Sequence, residues 1–150
     1  MGFEFDQDAL ARVESAIAGG VHVWAADIAV PSIRAHAPRK TGRYRRTIHA
    51  TTFWRNRIVG GPPVRGRYAK SKAEIWVYLY TTSPVGHLLE GGTQRHDVSR
   101  KDAVLDVRAR GRKRRIIHPG SRRFPHFGPG ILATRGRIVS TIAHGARARL

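Results

Sequence analysis

The sequence predicts an α+β fold in which a long N-terminal helix and a C-terminal helix pack on one side of a mainly antiparallel sheet with a long β-hairpin. Three observations predict it. From Asp8 onward, Leu10, Val13, Ile17, Val21, Trp24 and Ile28 recur at steps of three and four, the period of an amphipathic helix. In Thr47–Trp54 and again in Ala73–Thr82 the side chains alternate at the period of a strand. After Gly130 the set Ile131, Leu132, Ile138, Val139, Ile142, Ala146 and Leu150 suits a helix again. Helix, strands, short helix, strands, helix is an order that segregates helices to one side of a sheet.

Each element has its own local reason. Asp6 or Asp8 can cap the first helix, Gly19 and Gly20 each weaken it by about 1 kcal/mol relative to Ala, and Pro31 is expected to kink it. Pro38 disfavours helical backbone at Ala37, so the helix should stop there. Thr41 can cap a new turn, and Gly42 lets the chain swing into it, with Tyr44 and Ile48 four apart on one face. Thr47–Trp54 reads as a strand, and Ile58 and Val59 continue the sheet. The Gly- and Pro-rich, basic stretch 61–72 reads as a loop. In Ala73–Thr82, Ile75, Val77 and Leu79 share one face, while Trp76, Tyr78 and Tyr80 share the other. The aromatic face is then a candidate for a second helix or another subunit. Ser83-Pro84 and Gly91-Gly92 bracket one or two helical turns, with Val85, Leu88 and Leu89 expected inward. Ala103–Arg110 and Arg112–His118 read as two strands around Gly111, very basic at the tip.

Length and composition narrow the class. With 150 residues and 41% apolar side chains, the chain is expected to be one domain, 1–150. It has no cysteine, which fits assembly in a reducing cytoplasm and excludes disulfides and thiolate metal sites. The acidic start and the lack of a long apolar run predict a soluble, unexported protein with no membrane partner. Against 10 Asp and Glu stand 28 Lys and Arg, a formal charge of +18. Five of the ten acids fall in the first thirty residues, none lies between Ala29 and Ala73, and none follows Asp106. The two resulting basic blocks favour a polyanionic neighbour, nucleic acid or protein, over a merely solvated face. Arg43, Arg45, Arg46, Arg65 and Arg67 mark the first block. Arg108, Arg110, Arg112, Lys113, Arg114 and Arg115 mark the second.

Three motifs follow one another. The first is Pro38, Thr41, Gly42, then Tyr44 and a strand. The second, after Tyr78 and Tyr80, is His87-Leu88-Leu89-Glu90-Gly91-Gly92-Thr93. The third is His96-Asp97-Val98, then Ala103–Val107, then His118-Pro119-Gly120-Ser121 with Arg122–Phe127 leading into the last helix. In this order they resemble the tail-component family of long-tailed double-stranded-DNA bacteriophages, over about three-quarters of the chain; Gly91 departs from it by replacing an aromatic residue. The resemblance implies a virion protein of the neck, a tail-completion or tail-terminator subunit. Such a subunit assembles in the host cytoplasm as a homo-oligomeric ring, expected to be a hexamer, at the head-tail interface. Its partners are then the phage head-completion or connector proteins and the tail tube protein, with non-specific contact to genome DNA if the basic residues face the lumen. It implies no reaction, no cofactor and no metal.

Rival chemistry is thinner. His87 and Glu90, three apart, lack a clear third metal ligand. His96 with Asp97, Asp102 and Asp106 invites a metal-nuclease reading without a recognisable motif. The alternative from another class is therefore a small basic nucleic-acid-binding enzyme, a nuclease or toxin-like ribonuclease using His96 or His118. Glu90 either bridges to an Arg of a next subunit or accepts the Thr93 and glycine amides of its own turn, and the local role is the one expected. Walker A, serine-elbow and HExxH patterns are absent from the sequence.

Overall fold

The computed structural model describes residues 6–39, 42–64, 73–97 and 117–150. Thr41, Arg65, Arg67, Arg108, Arg110, Arg112, Lys113, Arg114 and Arg115 lie outside the described residues, as does all of the expected 103–118 hairpin except its last two positions.

The domain opens on a continuous helix, Gln7–His36. It has three parts: α1 (Gln7–Val23), a π-helical turn (Trp24–Ala29) and α2 (Val30–His36). Asp6 caps it, its Oδ1 accepting the amides of Asp8 at 2.9 Å and Ala9 at 3.1 Å. Pro31 falls in the first turn of α2, where the wider π turn hands over to the α ladder and a missing N–H costs little. Ala37 ends the helix in extended backbone (ψ 156°), as Pro38 dictates. By length and hydropathy this helix would suit a bilayer, yet half of its most apolar window is buried inside the domain, so it is a core helix.

The expected apolar stripe is only half right. Trp24 is buried, whereas Leu10, Val13 and Ile17 are 40%, 42% and 37% exposed. The buried face of α1 is made of Ala16, Ala18, Gly19 and Gly20. The reason is the C-terminal helix α6 (Ile138–Arg147). A Cβ on Gly20 would strike the Ile142 carbonyl, and one on Gly145 would come within 2.9 Å of the Gly20 Cα. The glycines that weaken an isolated helix thus let two backbones cross in contact.

Next come α3 (Arg43–Arg46) and three strands, β1 (Ile48–Trp54), β2 (Arg57–Gly60) and β3 (Ile75–Thr81), in the antiparallel order β2-β1-β3. Gly42, with φ 66°, is the N-cap of α3 and makes no side-chain cap. A two-residue turn joins β1 to β2, and Arg55 (φ 48°) and Asn56 (φ 62°) both take the left-handed backbone that such hairpins need. Arg55 is held there by Glu14 at 2.8 Å and Glu74 at 3.3 Å. Ile48 and Ala50 of β1, with Val77 and Leu79 of β3, face the helices. On the other face Phe53 stacks on Trp76 (4.0 Å between centroids), and Tyr78 on Tyr80.

A short helix α4 (Gly86–Gly91) follows, but Val85 and Leu88 are exposed, because one and a half turns bury only one side. The strands β4 (His96–Asp97) and β5 (Ile117–His118) pair antiparallel, His96 opposite His118. The C-terminal helix expected from Ile131 is broken instead into α5 (Phe127–Leu132), a 3₁₀ turn (Arg135–Arg137) and α6. Thr134 makes the break: it is buried, its hydroxyl donates to the Ile131 carbonyl at 2.8 Å, and Gly136 follows. Leu132, Val139 and Leu150 consequently point to solvent. The core joins Trp24, Ala25, Ala29, Val30 and Ile33 of the long helix to Ile48 and Ala50, with Phe127, Ile131, Ile138 and Ile142 packed against them.

Candidate functional site

The three motifs meet at one place. Glu90, at the end of α4, turns its Oε1 onto the amides of His126 (3.0 Å) and Phe127 (2.7 Å). These are amides at the N-terminus of α5, left without intrahelical acceptors, so a carboxylate there accepts two charge-assisted bonds. The same oxygen lies 3.1 Å from His126 Nδ1, and the Phe124 carbonyl lies 2.9 Å from it. Both neighbours of Nδ1 are acceptors, so that nitrogen carries a proton. Nε2 of the ring shares a hydrogen bond of 2.7 Å with the Tyr44 hydroxyl. Tyr44 comes from the first motif, Glu90 from the second and His126 from the lead-in to the last helix.

Each partner is positioned by local backbone. Tyr44 stands on α3, set by the left-handed Gly42. Gly86 packs against the Thr81 side chain, where a Cβ would strike the Thr81 methyl, and lies beside the Tyr44 hydroxyl. Gly92 (φ 70°) ends α4 two residues after Glu90. Thr93 and Ser121 exchange backbone bonds at 3.0 Å and join hydroxyls at 2.9 Å, which ties the second motif to the third. Gly120, beside Pro119, has φ 90° and packs against the backbone of Thr93 to Arg95, where a side chain would clash. Burial pushes the Tyr44 hydroxyl above its ordinary pKa, and the Glu90 carboxylate adds to the effect.

A tyrosine, a histidine and a carboxylate in series have the makings of a proton relay. Here each of the three is engaged by the fold. His126 is fully buried, and both its ring nitrogens are occupied by the fold. Glu90 thus holds not the amides of its own turn, the role expected of it, but the distant amides at the start of α5. Sequence reasoning did not single out His126; its place directly before the Phe-Gly-Pro-Gly run, where α5 needs an acceptor, was the available signal.

The basic residues do not behave alike. Arg45 turns inward, its guanidinium donating to the Ala37 carbonyl at 2.8 Å and the Ala35 carbonyl at 3.2 Å, so it closes the end of α2 instead of facing a neighbour. Arg43 and Arg46 are exposed. Among the described residues no group of three His, Asp or Glu side chains is placed to hold a metal ion. His87 is exposed.

Two other histidines give the fold a pH dependence. His22, in contact with Thr52 and Gly60, has its pKa lowered by burial, as has His49 beside Tyr80, where Arg34 lowers it further; Arg149 adds to the lowering at His22 and Asp27 opposes it. A depressed histidine pKa means that the folded state resists protonation. Stability is therefore complete above the ordinary value of 6.5 and is lost as pH falls below it. The urea midpoint should drop between about pH 7.5 and about pH 5.5, and the double variant His22→Asn/His49→Asn should flatten that drop. Compared with protein-family models, with curated proteins and with solved structures, the chain has no match.

Proposed function

We propose that this chain is a structural subunit of a phage neck, assembling as a homo-oligomeric ring that completes or terminates the tail and docks it to the head connector. What supports the reading is the single junction at Glu90. The three motifs that resemble the tail-component family are far apart in sequence, yet one carboxylate and one imidazole bind them together. Motifs that arose separately by chance would have no reason to share a hydrogen-bond network. Exposed arginines, including Arg43 and Arg46, give such a ring the charge to meet acidic neighbouring rings or DNA phosphates.

The test is assembly. Electron microscopy of the purified chain with tail tubes should show rings seated on tube ends. A strict monomer that leaves tube ends unaltered would reject the reading. One observation favours the enzymatic alternative, the register that sets His96 opposite His118. Cleavage of RNA or DNA by the chain, abolished by His118→Ala, would replace the structural role with a catalytic one.

A further inference from the structure

We propose that copies of this chain join head to tail through two complementary surfaces: the acidic, apolar start of α1 on one copy and the basic, apolar turn between α5 and α6 on the next. The inference rests on the ring reading and names the contact that would build the ring. The first surface is the stripe Leu10, Val13 and Ile17, more than a third exposed at each position although the spacing is that of a buried helix face. It begins at the exposed acids Asp6 and Asp8, one turn before the exposed Arg12, in a chain whose formal charge is +18. The second surface holds Leu132 (66% exposed) and Val139 (78% exposed) around the exposed Arg135 and Arg137. No acid follows Asp106 in the sequence, so nothing after that point neutralises these arginines locally.

Within one chain the two surfaces cannot meet. Helix α6 runs antiparallel to α1, with Gly145 and Ala146 against Gly20, Arg149 over Gly19, and Leu150 beside Arg12 in a shallow cleft. The chain end therefore lies near the start of α1. The basic turn lies at the far end of the long helix, where Ile138 joins the core and Gly130 packs on Ile33. From Leu10 to Ile28 the helix rises roughly 25 Å. Each surface offers leucine-type side chains that water solvates poorly, and the two carry opposite charge, so each fits the other on a second copy. Two different patches per copy make a heterologous contact, which closes into a ring or runs on as a filament, whereas a self-complementary patch would stop at a dimer.

The absence of cysteine makes the test direct. Val13→Cys and Val139→Cys place one thiol at each exposed surface without touching the core. Mixed and oxidised, the two variants should give a crosslinked dimer joining position 13 to position 139, and the double variant should give a ladder of higher species. Arg135→Glu/Arg137→Glu, with its fold checked by circular dichroism, should lower the crosslink yield about tenfold. Crosslinks only between like positions, or none from folded variants, would overturn the proposal. Rings that cap tube ends without the 13–139 crosslink would overturn this contact and leave the neck reading standing; the crosslink without capping would do the reverse.

Discussion

Glu90→Ala should cost the fold about 3 kcal/mol, measured as a shift in urea unfolding at neutral pH. The change removes the acceptor of two helix-end amides at 3.0 and 2.7 Å and one of the two acceptors facing a fully buried imidazole proton. Bonds to a charged acceptor are the stronger kind, and the imidazole left behind is fully buried. Glu90→Gln keeps an oxygen at the helix start but loses the charge that favours that end, so its loss should be smaller, about 1 kcal/mol. A loss in Glu90→Ala no larger than that of an exposed substitution would refute the junction. Tyr44→Phe supplies a second measure, since it strips His126 Nε2 of its only described partner.

The helix crossing gives the second large effect. Gly20→Ala adds one methyl group, and an alanine in an exposed helix would gain about 1 kcal/mol over glycine. Here the added carbon would meet the Ile142 carbonyl and lie 3.1 Å from the Ala146 amide nitrogen, both backbone atoms that have no rotamer in which to retreat. The net result should be a destabilisation of about 2 kcal/mol or more, with α6 loosened first in hydrogen exchange. Gly136→Ala is the control. Nothing lies within 4 Å of a Cβ at that position, so its effect should stay within about 0.5 kcal/mol.

Punctuation was the most legible part of the sequence. The Asp6 cap, the stop at Pro38, the swing at Gly42 and the end of α4 at Gly92 all depend on neighbouring residues only, and each stands where local chemistry requires. The strands β1, β2 and β3 were legible for the same reason. Side-chain burial was not, because it depends on what arrives from elsewhere in the chain. Val85 and Leu88 have the spacing of buried residues, yet a helix as short as α4 cannot cover both. The break at Thr134 also escaped, since Gly136 lowers helix propensity without saying where the chain will turn. At the junction, the motifs in Glu90 and Tyr44 were recognisable, but their partnership through His126 spans 82 residues and only folding discloses it.

The π turn at Trp24–Ala29 has a consequence for how the long helix divides its labour. One residue more than an α turn needs shifts the angular phase of everything after it by about 100°. Upstream of the slip the buried face of the helix is Ala16, Ala18, Gly19 and Gly20, which meets α6. Downstream of it, Val30 and Ile33 are buried in the core that includes β1 and α5. Leu10, Val13 and Ile17, upstream of the slip, keep their own phase and look outward. A single inserted residue thus gives one rod two allegiances, its second half committed inward and its first half left available to the world outside.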